Sequence, residues 1–577
     1  MLFSFLNLKL FHHQNLKLGF GALIIGLLVG LTSVGFIKFI AFVQTVLWGQ
    51  HGALFATLLR EHAQPWLLLI FLPLGGIASA LIITYLIPEN RQMGIADVIE
   101  ANALRAGRLS SRSAFFATLA AGLSIGSGAS VGREGPMVHL GSAMASLAAR
   151  SLFLDRKHTR CLLGCGAAAA IGASFNAPLA GILFALEVII GNFSIGASAQ
   201  IALAAVVGTG VRHTLLGNGA VFTLPELEVL TWFAALPAFA LGILSGGFAA
   251  LFLWILPKVR GFYKRIKTPL WIKAGSTGFL VALIGLALPD ALGLGYEATN
   301  VALLGKLGII TALLLLVAKL LFTALCLGAG FSGGVVSPAL FLGAMLGHAF
   351  GLTWLSLNSA SDPTLFTMVG MAAVTAPIVG SPLSTILIVF ELTTSYEVLL
   401  AVMSGVVAST LTARLLSGHS FFITQLIERG LSLKSSHDIS GLSTSPVSAL
   451  MDTDFTKITA DCLDAKRLLQ ESRFGWGIVC DNKEQFLGVI SLEFTDFSKK
   501  KPASILARSC LTLSQKDTLM DAMRAFRSTE EPHLPVIEEG RVIAQIHEAD
   551  LLRAYEDSLA EIEGAHIIED MISQKKR

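Results

Sequence analysis

Two opposite charges stand side by side in a glycine-rich loop within an otherwise apolar region. Arg133 and Glu134 are flanked by Gly132 and Gly135, and Pro136 follows at the start of an apolar helix. Charges at membrane depth are costly and usually mark an ion pathway. Glycines expose backbone N–H groups, and a helix that starts at a proline offers an N-terminus that attracts anions. The loop therefore predicts an anion site; the alternative is that the two charges only pair with each other at the surface.

A second glycine-rich loop has the same design but carries no charge. It covers residues 328–338 and again ends in a proline at a predicted helix start. Donors to an anion would here have to be the backbone N–H groups of Val335 and Val336. Two helix N-termini aimed at one point could replace part of an anion's hydration shell. Weak binding by several donors suits conduction, because the ion must also leave.

The charged residues that surround these loops are unevenly distributed along the 577-residue chain. Residues 1–430 hold 24 basic and 15 acidic side chains, about 9% of that part, whereas residues 431–577 hold 18 and 24, about 29%. With a mean hydropathy of +0.70, this composition excludes a disordered chain, a small disulfide scaffold and an ordinary soluble enzyme. It predicts a membrane domain over 1–430, a linker over 431–446 and a soluble tail over 447–577. The acidic tail argues against a nucleic-acid partner.

The membrane domain is predicted to contain broken helices in two related halves. Twelve apolar stretches lie between residues 17 and 417, and many are too short for one crossing. Prolines interrupt them at Pro178 and Pro382, and such backbone survives at membrane depth only inside protein or beside an aqueous cavity. Aligning residues 166–187 with residues 370–391, which lie 204 positions further along the chain, gives eight identities in 22. This repeat predicts halves at about 17–216 and 228–425, with a binding site where their broken helices meet.

Three motifs together resemble the CLC family of chloride channels and proton-coupled chloride transporters, over roughly residues 17–430. They are GREGP at 132–136, FNAPLAGILFALE at 175–187 and GGVVSP at 333–338. The tail, with two copies of one helix-and-strand pattern at 447–497 and 505–555, resembles the family's paired CBS domains. The resemblance implies a polytopic α-helical protein with two inverted-topology halves, plus an α+β CBS pair. It further implies a homodimer, with one pore per subunit, in the bilayer of the cell (inner) membrane and with a cytoplasmic tail.

The resemblance also assigns roles to individual residues. Glu134 falls on the gating glutamate, whose carboxylate occupies the outer pore site until a proton neutralises it or an anion displaces it. Met93 and Phe422 fall on the pore serine and the pore tyrosine, so both hydroxyls are missing and chloride should bind weakly unless Ser130 or Thr424 supplies a substitute. The predicted anion-binding residues are Met93, Gly94, Ile95, Gly132, Arg133, Gly135, Val335, Val336 and Phe422.

The mechanism of transport depends on one further position. Val188 falls on the inner proton-transfer glutamate of the coupled exchangers, and the family's channels also have valine there. This favours a channel-like or weakly proton-coupled pathway for chloride or a similar anion. A proton-coupled antiporter with an unconventional inner proton path stays open, as does a fluoride-selective exporter, because some fluoride exporters also lack the pore serine. A membrane enzyme with Glu134 as general base lacks a nucleophile or metal cluster beside it, and the pore loops argue against a sensor without transport.

The tail carries only part of a nucleotide-binding signature. CBS pairs commonly hold a ribose with an Asp three residues after a Ser or Thr at the end of the last strand. Ser491 is followed at that distance by Phe494, whereas His547 precedes Asp550 correctly. A dimerising scaffold that requires no cofactor is therefore favoured over adenine-nucleotide binding at His547 and Asp550.

Overall fold

The computed structural model describes most of the chain and divides it into two compact units at residues 433 and 434. The described residues are 2–48, 64–105, 107–154, 156–191, 195–217, 222, 235–357, 362–393, 398–429, 431, 445–472, 474–492, 495, 497, 501–526, 528–529, 531–552 and 554. Most of the predicted linker, and Phe494, lie outside them. The two units are described separately.

The first unit is helical throughout its described part. Seven of its helical spans are long and apolar enough to cross a membrane. The helices are α1 (Leu2–Trp48), α2 (Leu68–Leu86), α3 (Ile95–Leu104), α4 (Ser111–Gly126), α5 (Glu134–Ser151), α6 (Arg156–Phe175), α7 (Pro178–Phe184, continued by a π-helical turn Ala185–Ile190), α8 (Ile195–Leu216), α9 (Ala235–Arg265), α10 (Leu270–Gly285), α11 (Tyr296–Leu303), α12 (Ile309–Ala329), α13 (Val336–Leu357), α14 (Pro363–Val379), α15 (Pro382–Thr393), α16 (Leu399–Ser417) and α17 (Phe421–Ile427).

The helices break where the sequence predicts. Helix α6 ends before Asn176, whose φ of 61° is left-handed, and Pro178 starts α7. In the second half α14 ends before Gly380, with φ of 80°, and Pro382 starts α15. A left-handed residue ends a helix, and a proline fits the first helical turn because no N–H is needed there. Each break therefore follows from two local residues.

The predicted internal repeat is confirmed by matching helix packing in the two halves. Helices α5 and α6 pack together as α13 and α14 do, and the pair α1 and α8 matches the pair α9 and α16. Gly141 packs against Gly166 where α5 crosses α6. Their repeat equivalents, Gly343 and Gly370, pack together where α13 crosses α14. A Cβ atom at any of these four glycines would collide with the backbone of its partner. Close helix contact through small residues is typical of membrane proteins.

Two glutamates connect the halves reciprocally. Glu187, after α7, accepts hydrogen bonds from two backbone N–H groups in the first turn of α15, and Glu391, its repeat equivalent, does the same for α7. The N···O distances are 3.1 Å from Leu383 and 2.9 Å from Ser384 to Glu187, and 3.0 Å from Leu179 and 2.7 Å from Ala180 to Glu391. Each carboxylate thus caps a helix N-terminus of the other half.

The second unit is the predicted α+β tail. Strands β1 (Lys457–Thr459), β2 (Trp476–Cys480) and β3 (Phe486–Ser491) form one sheet, with β1 parallel and β3 antiparallel to β2. Strands β4 (His533–Glu538) and β5 (Arg541–His547) form an antiparallel pair. Short helices α18 (Ala465–Glu471), α19 (Ala503–Leu506) and α20 (Leu519–Phe526) accompany them. Apolar residues of the tail are buried in separate clusters, and the cluster that contains β4 and β5 residues also includes Val447 from the start of the first copy.

Candidate functional site

A short backbone bridge joins the two glycine-rich loops. The N–H of Gly132 donates to the carbonyl of Gly334 at 2.7 Å, and the N–H of Gly334 donates back at 2.6 Å. A Cβ at Gly334 would lie 2.9 Å from the nitrogen of Gly135, so the close approach needs glycine. The bridge places the N-terminus of α5 beside that of α13. The first N–H groups of both helices have no partner within their own helix.

Glu134 is completely buried at the first position of α5. Its Oε1 accepts a hydrogen bond from the Ser337 hydroxyl at 2.5 Å and a longer one from the Tyr296 hydroxyl at 3.3 Å. Its Oε2 has no hydrogen-bond partner among the described residues. The nearest approach of Arg133 Nε to Oε1 is 3.9 Å. The alternative that this pair is a surface ion pair is therefore wrong, because Glu134 is held inside the protein by two hydroxyl groups.

Arg133 is directed away from the carboxylate of its neighbour. Its Nη2 donates to the carbonyl of Ser174, near the C-terminus of α6, at 2.8 Å. Its guanidinium lies 5.4 Å from the centre of the Tyr296 ring, a distance at which cation and ring attract each other. Phe222 contacts the same ring edge-on, with centroids 5.7 Å apart. Arg133 thus fixes Tyr296, which in turn donates to Glu134.

Five of the predicted anion-binding residues share one small cavity of about 30 Å³. A cavity of this volume has room for a water molecule or an ion of similar size. The shared residues are Met93, Gly94, Ile95, Gly135 and Phe422. The cavity brings together the loop before α3, the N-terminus of α5 and the start of α17, so residues far apart in sequence surround a space of the size of a small ion.

Several predicted donors need correction. The N–H of Gly94 is engaged by Asp97 Oδ2 at 2.8 Å, and that of Gly132 by Gly334, so neither is available to an anion. Val335 and Val336 are buried at the start of α13 but are not among the residues that line the cavity. The second loop reaches the cavity instead through Gly333 and Gly334.

The hydroxyl groups considered as substitutes are engaged elsewhere. Ser130 pairs with Thr323 at 3.2 Å, and the Thr424 hydroxyl donates to the Ser420 carbonyl of its own helix at 2.9 Å. Neither lines the small cavity. The sequence predicts that two pore hydroxyl groups are missing, at Met93 and Phe422. At these positions the described part of the cavity is lined by a thioether and an aromatic ring.

A larger, basic cavity of about 320 Å³ adjoins the small one. Gln92, Arg260, Gln425 and Arg429 line both. Its charged lining residues are Arg91, Arg260, Lys264, Lys273 and Arg429, with Glu428 as the acidic one. An excess of positive charge in a cleft concentrates anions. Sequence reasoning missed this cavity because its residues come from four separate segments.

Val188 lies in the π-helical turn that follows α7 and is half-buried. Its neighbour Glu187 is the helix cap described above. At the position itself the side chain is a hydrocarbon, which neither binds nor releases a proton.

In the tail, His547 belongs to a compact aromatic cluster. Its ring lies 4.3 Å from that of His533, which also stacks on Trp476 at 4.9 Å and contacts Phe474 at 4.8 Å. Burial, and then the neighbouring His547, lower the pKa of His533 to about 4. The Nδ1 of His547 accepts the N–H of Ala549 at 2.9 Å. The protein's own rings thus occupy the surroundings of the predicted nucleotide residue His547.

A two-repeat membrane domain in which two helix N-termini meet at a buried carboxylate, with a basic cavity nearby, defines a transporter of anions. The chain belongs to the voltage-gated chloride channel (CLC) family, whose family model matches residues 75–414; a CBS domain model matches residues 503–557. Like its family, it serves chloride transport, as a multi-pass membrane protein.

Individual relatives agree with this assignment. The chain is 32% identical over 410 residues to a ClcB-like protein of Ralstonia nicotianae, covering 70% of this chain and 95% of that one. It is 30% identical over 430 residues to the H(+)/Cl(-) exchange transporter ClcA of Klebsiella pneumoniae, covering 70% and 88%. The structure of a slow cyanobacterial Cl-/H+ antiporter has the same fold, with a TM-score of 0.64 at 24% identity, covering 72% of this chain and 99% of that one.

Proposed function

We propose that this protein passes chloride, or a similar small anion, through a channel-like or weakly proton-coupled pathway that Glu134 gates. The supporting observation is the buried carboxylate of Glu134 at the junction of the two helix N-termini. A carboxylate held there by Ser337 and Tyr296 is a tethered anion in the place where a free anion would be attracted. A proton that neutralises it, or an anion that displaces it, would open the pathway.

The basic cavity and the small cavity give this pathway a physical route. Anions concentrated beside Arg260, Lys264 and Lys273 would pass Met93 and Phe422 before reaching Glu134. Because no side-chain hydroxyl lines the small cavity in its described part, binding there would be weak. Weak binding suits passage rather than storage.

Val188 supports weak coupling, since a proton cannot be held at that position. A proton-coupled antiporter is the second candidate, and one observation favours it. His139, on the same helix as Glu134, is completely buried, and both ring nitrogens have no hydrogen-bond partner in the described part of the chain. It interacts electrostatically with the carboxylate of Asp97. Such a pair could hold a proton on the inner side without a glutamate at position 188.

The assembly that we propose is a homodimer in the cell (inner) membrane, with the tail in the cytoplasm. The outward faces of the repeat-related helices α7, α8, α15 and α16 carry apolar side chains that are between 48% and 57% exposed: Leu179, Val206, Leu383, Val407 and Leu411. Such faces suit lipid or a second subunit. For the tail we propose a scaffold without bound nucleotide, because the aromatic cluster around His533 fills the space beside His547.

The test is to record chloride and proton fluxes together in liposomes. Glu134→Gln, which keeps the size of the side chain but cannot carry its charge, should raise the basal chloride flux and remove its dependence on pH. In the wild type a proton gradient should fail to drive chloride uphill, and fluoride should not be preferred over chloride. A low, still acid-activated flux in Glu134→Gln would refute the gate. Uphill chloride movement at a fixed stoichiometry, lost in His139→Leu, would establish the antiporter instead.

A further inference from the structure

A second buried arginine lies close to Arg133. Arg212, near the end of α8, is only 9% exposed, yet its Nε and Nη1 have no hydrogen-bond partner among the described residues. Its neighbours on α8 face the C-terminal end of α6: Thr209 lies against Gly172, and His213 is hydrogen-bonded to Asn176. The same end of α6 accepts the hydrogen bond from Arg133, so the two arginines approach one region from two helices.

Arg133 is only partly satisfied there. Its Nη2 donates to the Ser174 carbonyl, but its buried Nε has no hydrogen-bond partner among the described residues and approaches Glu134 Oε1 only to 3.9 Å. The two guanidinium groups repel each other, and both interact with Tyr296. Unpartnered buried N–H groups of a charged side chain are costly, and here two such side chains of the same charge lie together.

Among the described residues, the local charges do not cancel. The two guanidinium groups lie near each other, and the carboxylate nearest to Arg133, that of Glu134 at 3.9 Å, already accepts hydrogen bonds from Ser337 and Tyr296. The C-terminus of α6 contributes roughly half a negative charge at most. An uncompensated charge inside a membrane protein is expensive unless a counter-ion is close. The unpartnered N–H groups of the two guanidinium groups therefore suit a small anion as their counter-ion.

We infer that Arg133 and Arg212 form a second binding site for a small inorganic anion of halide size. The site lies beside Glu134 and is separate from the cavity at Met93 and Phe422, whose lining includes neither arginine. This inference rests on the proposed function and deepens it. An anion held by the two guanidinium groups is positioned to enter when the carboxylate of Glu134 leaves.

The first experiment compares Arg212→Gln with a matched control. Arg414→Gln removes the same side chain from the last turn of α16, where it is exposed. Chloride flux into liposomes is measured against the chloride concentration on each face. In Arg212→Gln the half-saturating concentration should rise about tenfold or more on one face only, as expected for the loss of a charge-assisted hydrogen bond. The half-saturating concentration of Arg212→Lys should lie between those of the wild type and Arg212→Gln, and that of Arg414→Gln should match the wild type. An unchanged half-saturation in Arg212→Gln would overturn the inference.

A second measurement needs neither flux nor a folded variant. Crystals of the wild-type protein are grown in bromide, and the anomalous signal locates the bound ions. A bromide peak between the guanidinium groups of Arg133 and Arg212 is the expected result. A peak at the Met93 and Phe422 cavity with none at the arginines would show that their charge is only structural. This outcome would not contradict the gating role of Glu134. That role is tested separately, by the flux through Glu134→Gln.

Discussion

Replacing Ser337 by alanine should release the carboxylate of Glu134 from its closed position. The Ser337 hydroxyl donates to Oε1 at 2.5 Å, whereas the Tyr296 hydroxyl lies at 3.3 Å and holds it more weakly. A hydrogen bond to a charged group contributes about 1.5–3 kcal/mol, and about 1.4 kcal/mol corresponds to a tenfold change in an equilibrium. The ratio of closed to open protein should therefore fall by about 10- to 100-fold in Ser337→Ala.

The assay is chloride efflux from liposomes at a fixed neutral pH. Flux through Ser337→Ala should rise toward that of Glu134→Gln, which sets the upper limit because its carboxylate is gone. Tyr296→Phe, which removes only the longer bond, should give a smaller increase. The double variant Ser337→Ala with Glu134→Gln should equal Glu134→Gln alone, since the hydroxyl acts only through the carboxylate.

Two results would refute this reasoning. Flux of Ser337→Ala at or below the wild-type level would mean that the hydroxyl does not hold the gate closed. An additional increase on top of Glu134→Gln would mean that Ser337 acts on the anion itself, and the contact with Glu134 would then be incidental to gating.

Three further predictions concern other parts of the molecule. Met93→Ser should tighten chloride binding by up to about 1.5–3 kcal/mol in titration calorimetry, because the new hydroxyl would face the small cavity; unchanged affinity would show that this side chain does not face the ion. The folded tail keeps His533 neutral while the unfolded tail protonates it, so tail stability should fall as pH drops from about 6.5 to about 4, by at most about 1.4 kcal/mol per pH unit. Calorimetry of the full chain should show this loss in the wild type and not in His533→Phe, and an equal loss in both would exclude His533 as its cause. Glu391→Ala should destabilise the membrane unit by about 2 kcal/mol, as the loss of a helix cap does, and Glu187→Ala should do so equally in thermal unfolding; a clear inequality would contradict the equivalence of the two caps.

The breaks in the helices could be predicted from the sequence because their causes are local. Asn176 with Pro178, and Gly380 with Pro382, end one helix and start the next through their own backbone preferences. The repeat was predictable because identical residues recur at one spacing. The burial of Glu134 could be predicted because the residue lies in an apolar region of the sequence, where charged residues usually have a function.

The partners of Glu134 could not be predicted in this way. Ser337 lies 203 residues and Tyr296 lies 162 residues from Glu134 along the chain, and no pattern of spacing connects them. The same limit explains why the engagement of the Gly132 N–H group by Gly334 could not be predicted. The Gly94 N–H group is instead engaged locally, by Asp97 three residues further along the chain. The gating role of Glu134 stays a prediction, as does the expectation that the tail binds no nucleotide at Asp550.

The reciprocal caps of Glu187 and Glu391 constrain the order in which the chain can mature. During synthesis, α7 is made long before its acceptor, because Glu391 follows Leu179 by 212 residues. Until then the first N–H groups of α7 must be satisfied by water or left unpaired, which is costly in an apolar setting. Nearly the whole membrane unit must be made before Glu391 can cap α7 in the first half. The two halves, although related by duplication, therefore reach their final structure together.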